Sequence, residues 1–292
     1  MANFNDANII IQEVSARDGL QNEPQILSVY QRIQIIDALS RAGLSRIQVG
    51  AFVNPRLVPQ MADSDLVWSG IDRNKKDVRY TVLILNERGM ETALNLKVEH
   101  IEIYVSASET HSLKNSHMEM KKALDNAAGI VRRAGQAGMS ITAGIMCAFG
   151  CYYEGPIHSD IVCAMVSRLL DAGATEIGLA DTTGVAKPEE VKSMISQVGK
   201  LAPLEMIGLH LHDTRGCGLQ NVEAGLDSGI RKFDSSVGGI GGCPFIPGAT
   251  GNVPTEKVVE LAERLGFKTF IDLGKLRIAE SIIRSFLDSS NY

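Results

Sequence analysis

The sequence has 292 residues, of which 45% are hydrophobic and 22% are charged, and its formal net charge at pH 7 is −5. This composition is ordinary for a globular protein, and the negative charge gives no electrostatic reason to expect nucleic-acid binding. No apolar run approaches the roughly 20 residues of a membrane span, and the first residues lack the regions of a secretion signal. The five cysteines form no Cys-x-x-Cys pair, which argues against a disulfide framework and favours a cytoplasmic location.

Short apolar runs alternate with amphipathic helical patterns along the chain. The predicted strands span 9–14, 46–49, 80–85, 101–105, 140–146, 176–180, 207–212 and 232–237. The predicted helices span 28–42, 64–72, 87–96, 118–137, 159–172, the segment that starts at Pro188, 220–228, 254–265 and 272–287.

The repeated strand–helix order predicts an α/β fold, a (β/α)8 TIM barrel, as one catalytic domain over residues 1–292. A C-terminal helical appendix at about 272–288 would cap this barrel or join a dimer. An open doubly wound sheet is the alternative architecture. It is disfavoured because no Gly-x-Gly-x-x-Gly turn follows the first strand.

The most informative stretch is Gly208–Gly216, a short apolar strand that runs into a polar turn. His210 and His212 project from the same face of that strand, because alternate residues share a face. A single buried histidine is usually a core residue. Two of them followed by Asp-Thr-Arg-Gly predict half of a metal site.

Other polar residues come just after predicted strands, where a barrel of this class carries its active site. Each also has an ordinary structural interpretation: a turn or helix cap for the aspartates, a surface ion pair for the arginine, a turn for the asparagine and a small buried residue for the cysteine. The candidates are Arg17 and Asp18 after strand one, Asp181 after strand six, and Cys243 and Asn252 after strand eight.

Two imidazoles, a carboxylate and an amide oxygen suit a divalent cation such as Mg²⁺, Mn²⁺ or Zn²⁺ with open positions for substrate oxygens. Arg17 could stabilise charge that develops on a substrate oxygen. Cys243 follows a glycine-rich loop and could shuttle a proton. Together these groups suit making or breaking a carbon–carbon bond next to a carbonyl.

From Ile9 to about Leu265 the chain resembles the 3-hydroxy-3-methylglutaryl-CoA lyase family, within the superfamily of metal-dependent lyases and Claisen-condensing barrels. The motifs that carry this resemblance are Arg17–Asn22, Phe52-Val53 with Val58–Met61, Cys151–Gly155, Asp181-Thr182, His210–Thr214, Gly241–Pro244 and Gly248–Asn252.

The resemblance implies a homodimeric enzyme that uses a coenzyme A thioester as substrate, with a role in leucine degradation and ketone-body formation. It implies cleavage of a C2–C3 bond to a ketone product and the enolate of acetyl-CoA. It also implies roles for single residues: cation ligation by Asp18, His210, His212 and Asn252, enolate stabilisation by Arg17, and proton transfer by Asp181 and Cys243.

One position departs from the family pattern. Lyases of the family carry a glutamate on strand two where this chain has Gln48, which is uncharged and cannot act as a base. We therefore include Gln48 among the candidate catalytic residues. Its presence suggests either a related acyl-CoA lyase with a different acyl preference or a non-catalytic metal-binding relative, in which a Gln48→Glu variant would gain activity.

A Claisen-condensing acyl transferase of the same superfamily is a further alternative. Such synthases usually carry more chain after the barrel, and only about 40 residues follow Gly251 here. This comparison favours the lyase.

Overall fold

The computed structural model describes residues 8–75, 77–242 and 251–288. Within them, eight parallel strands close into a barrel in sequence order, with β1 paired to both β2 and β8. The predicted TIM barrel is therefore confirmed, and the open sheet is wrong. The strands are β1 (Ile10–Glu13), β2 (Arg46–Phe52), β3 (Arg79–Ile84), β4 (His100–Ser106), β5 (Ser140–Met146), β6 (Glu176–Asp181), β7 (Ile207–Leu211) and β8 (Lys232–Ser235).

Helices surround the barrel, and no helix of the described residues is long and apolar enough to cross a membrane. The α-helices in these segments are α1 (Val29–Arg41), α2 (Ser64–Gly70), α3 (Glu87–Asn95), α4 (Glu109–Ser116), α5 (Met120–Gln136), α6 (Ser159–Asp171), α7 (Pro188–Val198), α8 (Gly218–Asp227), α9 (Thr255–Arg264) and α10 (Leu273–Asp288).

The ends of α1 follow from local chemistry. Ser28 caps the helix by accepting a hydrogen bond from the Gln31 backbone N–H, and the Gln31 side chain accepts one from the Ser28 N–H. Gly43 follows the helix with φ +93°, and a Cβ there would lie 2.5 Å from the carbonyl oxygen of Phe270. Only glycine meets both demands without strain, so the predicted helix boundaries agree with the structure to within one residue.

Two elements differ from the sequence expectation. The periodicity predicts one helix that starts near Met118. The structure has a separate helix, α4, before that residue, and α5 after it. Helix α4 begins after Ser108, which caps the His111 N–H at 3.2 Å, and it ends at His117 with φ 55°. The strand β2 continues to Phe52 through a register irregularity between Gln48 and Gly50, which a short apolar run does not reveal.

The helix α10 lies along the outside of the barrel and packs against α1. Leu276, Ala279 and Ile283 form its buried face. At its start the Asp272 backbone N–H donates to the Ala42 carbonyl oxygen at 2.8 Å. Farther along, α10 contacts the turn after β8, where a Cβ at Gly238 would lie 3.2 Å from Arg284 Nη2. Both roles expected for this appendix, capping the barrel and joining a dimer, stay predictions.

A buried carboxylate joins the first and last strands near the barrel mouth. Glu13 accepts hydrogen bonds from the backbone N–H groups of Ser15 and Val237 at 2.9 and 3.0 Å, and from the Thr255 hydroxyl at 2.6 Å. Burial raises the pKa of Glu13 to about 7, although these hydrogen bonds act in the opposite direction. The contacts hold the turn after β1 in a defined position next to β8.

Ion pairs fill the other end of the barrel. Glu176 accepts two hydrogen bonds from Arg46, at 2.6 and 2.9 Å, and pairs with Lys232 at 2.9 Å and Arg79 at 3.4 Å. Burial alone would raise the pKa of Glu176, but Arg46 and Lys232 lower it to about 2. The pairing therefore favours the ionised carboxylate in the folded state.

Replacing Glu176 with Gln should lower the free energy of unfolding at neutral pH by about 3 kcal/mol, because three cationic groups then lose their buried partner. The folded-state pKa of Glu176 lies below its usual 4.5. Its contribution is therefore present above that value and disappears as the pH falls toward about 2. Urea unfolding of both proteins at several pH values should show the difference narrowing as the pH falls.

The exposed Glu99→Gln variant is the matched control, because Glu99 immediately precedes β4 and is exposed to solvent. Its unfolding free energy should stay within about 0.5 kcal/mol of the parent. A Glu176→Gln difference that is independent of pH would contradict the ion-pair interpretation.

Candidate active site

The two histidines at the end of β7 point into the barrel. Both side chains are buried, and their Nε2 atoms lie 3.1 Å apart. Leu209 precedes His210 on the strand and points outward. Its side chain packs toward α8, and a Cβ at Gly225 would lie 2.6 Å from it. The predicted alternation of the strand is confirmed.

The turn after β1 brings a carboxylate to these imidazoles. Asp18 lies in a short helical turn, Ser15–Gly19, and its Oδ2 is 4.0 Å from His210 Nε2. One ligand atom from each of Asp18, His210 and His212 lies within 4.8 Å of the others. This is the only such group of three histidine, cysteine, aspartate or glutamate residues among the residues that the structure describes.

Asn252 completes the group from the segment that follows the glycine-rich loop. Its backbone forms an isolated bridge with His212, and its Nδ2 donates to Asp18 Oδ2 at 2.8 Å. Its Oδ1 is buried without a hydrogen-bond partner among the described residues. The structure thus brings together the four side chains that the sequence nominates as cation ligands.

The geometry of these residues fits a divalent cation. Two ligands held about 2.1 Å from an octahedral ion, at right angles, are about 3.0 Å apart, close to the observed 3.1 Å between the histidine nitrogens. The unpartnered Oδ1 of Asn252 is a buried acceptor, which would normally require a donor or an ion. Carboxylate, amide and imidazole donors together suit a hard or borderline divalent metal.

The protonation states of Asp18 and His212 favour cation binding, whereas the pKa of His210 is raised because nearby carboxylates outweigh the effect of burial. Burial would raise the pKa of Asp18, but Arg17, His210 and His212 lower it to about 2. Burial and repulsion from His210 lower the pKa of His212 to about 4. At neutral pH Asp18 is therefore ionised and His212 is neutral, which are the forms that ligate metals.

Asp234 orients the first histidine. The register pairs His210 with Asp234 across β7 and β8, and His210 Nδ1 lies 3.1 Å from Asp234 Oδ2. Gln12 donates to the other carboxylate oxygen at 3.2 Å. A carboxylate on one ring nitrogen directs the other nitrogen toward the site. Asp234 was not predicted from the sequence, although an acidic residue next to Phe233 inside an apolar strand could have indicated it.

Arg17 is held between two partners in the wall of the site. Its Nη1 donates to Asp18 Oδ1 at 2.5 Å, and its Nε donates to Oε1 of the fully buried Gln48. Its Nη2 makes no hydrogen bond within the described segments. One N–H face of the guanidinium therefore stays available to a ligand.

A pocket of about 370 Å³ leads to this cluster. Arg17, Asp18, His210 and His212 line its inner end, and Lys114 lines its wall. Apolar side chains from β3 and from the segments that follow β2 and β3 cover much of the rest: Val53, Leu57, Val58, Met61, Leu83 and Leu85. A cavity with a few convergent polar groups and apolar walls is typical of a small-molecule site.

Asp181 lies apart from these ligands. Its two oxygens accept hydrogen bonds from the backbone N–H groups of Val185 and Ala186, both at 3.0 Å. Burial raises the pKa of Asp181 to about 6, against the effect of these bonds. Its neighbours Ala180 and Thr182 line the pocket, whereas the Asp181 side chain supports the turn that follows β6. The other proton-transfer candidate, Cys243, lies outside the described residues.

Comparison with known proteins gives consistent matches. The family model described as HMGL-like matches residues 8–283. The hydroxymethylglutaryl-CoA lyase of Pseudomonas mevalonii is 39% identical over 261 residues, which cover 89% of this chain and 86% of the relative. The 3-hydroxy-3-isohexenylglutaryl-CoA/hydroxy-methylglutaryl-CoA lyase of Pseudomonas aeruginosa is 39% identical over 279 residues, covering 96% of this chain and 93% of the relative.

Solved structures match in the same way. The structure of an HMG-CoA lyase from Acinetobacter baumannii in complex with coenzyme A and 3-methylmalate superposes with a TM-score of 0.93 at 39% identity. The match covers 99% of this chain and 93% of that one.

Replacing His212 with Ala should reduce divalent-cation binding, because it removes one of the clustered imidazoles. Metal analysis after dialysis against Mn²⁺ should show a molar ratio well below that of the parent. His158→Ala is the control, since His158 is an exposed helix cap far along the chain from the cluster. Unchanged metal content in His212→Ala would exclude this histidine as a ligand.

Proposed function

This chain belongs to the HMGL-like family and is a carbon–carbon lyase, and we propose that it cleaves the C2–C3 bond of 3-hydroxy-3-methylglutaryl-CoA to give acetoacetate and acetyl-CoA. The observation that carries this proposal is the meeting of Asp18, His210, His212 and Arg17 at the inner end of one pocket. The curated relatives are lyases at similar coverage, so neither a condensing transferase nor a non-catalytic relative is favoured.

Asp18, His210, His212 and Asn252 would hold a divalent cation at the inner end of the pocket. Such an ion supplies a Lewis acid that polarises substrate oxygens and lowers the pKa of a hydroxyl group. Asp234 supports this arrangement by fixing the ring of His210. We propose Mg²⁺ or Mn²⁺ as the cation, with Zn²⁺ as the alternative, because the donor set mixes oxygen and nitrogen.

We propose that Arg17 stabilises the enolate of acetyl-CoA that forms when the bond breaks. Two of its nitrogens are fixed by Asp18 and Gln48, so that the guanidinium cannot swing freely. Its remaining Nη2 can donate to an enolate oxygen. A preorganised donor aimed at developing negative charge contributes strongly to catalysis, because it requires no reorganisation during the reaction.

We propose that two further residues take part in proton transfer. The sequence nominates Asp181 and Cys243, and we keep both as proposed participants. The raised pKa of Asp181, caused first by burial, suits a carboxyl group that exchanges a proton near neutral pH. Its hydrogen bonds to Val185 and Ala186 would have to loosen for its oxygens to reach a substrate.

The acyl group of the substrate can carry branches of different length, since one relative is named for two substrates that differ in this respect. The apolar side chains that line the pocket, such as Val58, Met61 and Leu85, suit a branched hydrocarbon. We propose a methyl branch as the preferred one. We further propose that the protein is a homodimer in the cytoplasm, with a role in leucine degradation and ketone-body formation, as the sequence resemblance implies.

Purified protein with Mg²⁺ or Mn²⁺ should release acetyl-CoA from 3-hydroxy-3-methylglutaryl-CoA, and more slowly from thioesters with longer branches at C3. Chromatographic detection of acetyl-CoA measures this directly. Acetyl-CoA incubated with 2-oxo acids should release no free CoA. Release of CoA in that mixture, or no cleavage across the thioester panel, would overturn the proposal.

Replacing Arg17 with Met should lower kcat by at least about a hundredfold, because one preorganised donor is lost. The content of bound divalent cation should stay close to that of the parent, since Asp18, His210 and His212 remain. Steady-state kinetics and metal analysis on the same preparation separate these effects. Arg41→Met, at the exposed end of α1, should behave as the parent, and full activity in Arg17→Met would exclude the enolate role.

A further inference from the structure

A further buried carboxylate, that of Glu102, lies in the barrel interior beneath the pocket. Glu102 is on β4 and is fully buried. Its Oε1 accepts a hydrogen bond from the Thr81 hydroxyl of β3, and it forms no ion pair with any described lysine or arginine. Burying an isolated carboxylate costs free energy, so we expect Glu102 to have a specific role.

Glu102 and Gln48 belong to the same layer of the barrel. Gln48 of β2 pairs in register with Thr81 of β3, and Thr81 bonds to Glu102. Among the described residues, two complementary buried atoms of this layer lack a hydrogen-bond partner within ordinary limits: the donor Nε2 of Gln48 and the acceptor Oε2 of Glu102. A small rearrangement would pair them and satisfy both.

The electrostatics agree with this arrangement in one layer. Burial raises the pKa of Glu102, and the charge of Asp234 raises it further. The Thr81 hydroxyl, the charge of Arg17 and the Gln48 amide all act in the opposite direction. Gln48 contacts the Arg17 guanidinium, which can only donate hydrogen bonds. It shares its layer with a carboxylate, which accepts them.

This position determines which way the Gln48 amide faces. With Nε2 toward Glu102, Oε1 faces Arg17 and accepts from its Nε, as observed. In the reversed orientation two donors would meet at Arg17 and two acceptors at Glu102. We propose that Glu102 is a positioning residue of the lyase: it orients the Gln48 amide and thereby holds Arg17 in place for the reaction. This inference rests on the proposed role of Arg17.

The inference also accounts for glutamine on β2. With Glu102 present, a glutamate at position 48 would put two buried carboxylates side by side, and one of them would have to be protonated. Glutamine keeps a single carboxylate in the layer and still presents an acceptor to Arg17. A carboxylate, an amide and a guanidinium therefore follow one another from β4 to the pocket: Glu102, Gln48 and Arg17.

The test is an exchange of the two residues. Glu102→Gln removes the preference in amide orientation and should lower kcat about tenfold to a hundredfold, with KM nearly unchanged, because misplacing a catalytic group affects mainly the chemical step. Gln48→Glu should also lower kcat. The double variant Gln48→Glu/Glu102→Gln again gives Arg17 an acceptor and the layer one carboxylate, and should recover kcat to within about threefold of the parent.

Thermal unfolding distinguishes positioning from general damage. Removing an isolated buried charge should leave the melting temperature of Glu102→Gln equal or higher, so a loss of kcat would not reflect unfolding. The exposed Glu99→Gln is the control on the same strand connection. Full kcat in Glu102→Gln, or a double variant no better than the combined single losses, would overturn the inference. Should Glu102→Gln not fold, comparison of the double variant with Gln48→Glu decides.

A readout independent of turnover separates this inference from the proposed function. In NMR spectra, the Arg17 Nε–H resonance should shift or broaden in Glu102→Gln and return in the double variant, because the acceptor that fixes it is lost and restored. If the parent protein cleaves no acyl-CoA but this resonance behaves as expected, the proposed function fails and the positioning role stands. An unchanged resonance in an active parent background would remove the positioning role alone.

Discussion

The site depends on the register between β7 and β8. This pairing sets His210 beside Asp234, whose carboxylate holds the Nδ1 side of the ring. Because side chains alternate along a strand, a slip of one residue would send both histidines outward into the helix layer. Closure of the barrel prevents such a slip, since β1 pairs with both β2 and β8. The meeting of Asp18 with the two histidines is thus a consequence of the closed sheet as well as of these residues themselves.

The polar groups inside the barrel are arranged in layers with different roles. At the end where the strands begin, Glu176 is surrounded by cationic groups, and this arrangement contributes stability. In the middle, Glu102 and Gln48 form a sparse layer with few hydrogen bonds. At the mouth, Asp18 and the histidines bring three potential ligand atoms within 4.8 Å of one another. This order follows the division, general in such barrels, between a stabilising face and a catalytic face.

The family relationship and the site chemistry support each other at different levels. Membership in the HMGL-like family establishes the type of enzyme, and the resemblance supplies roles for single residues. The geometry adds physical reasons for them: Arg17 is fixed at two nitrogens, and Asp18 stays ionised although it is buried. Under the proposed positioning role, the buried carboxylate of Glu102 explains why this chain has glutamine at position 48.

Much of the fold was predictable because its signals are local. Alternation along a strand placed His210 and His212 on one face, and capping residues such as Ser28 and Gly43 marked where α1 begins and ends. The weak periodicity of α4 gave no comparable signal, because that helix is short and largely exposed. The continuation of β2 past its bulge was missed for a similar reason, since no local pattern marks a register shift.

By itself the sequence predicted the barrel, the four side chains that meet at its mouth, and the arginine beside them. Only the tertiary structure decided that Asp234 supports His210, that Asp181 turns toward its own loop, and that Glu102 is linked through Thr81 to the layer of Gln48. The physical reason is that alternation tells which side chains face the interior, whereas the heights at which they meet depend on the stagger between strands. That stagger arises from closing all the strands together, and no single segment encodes it.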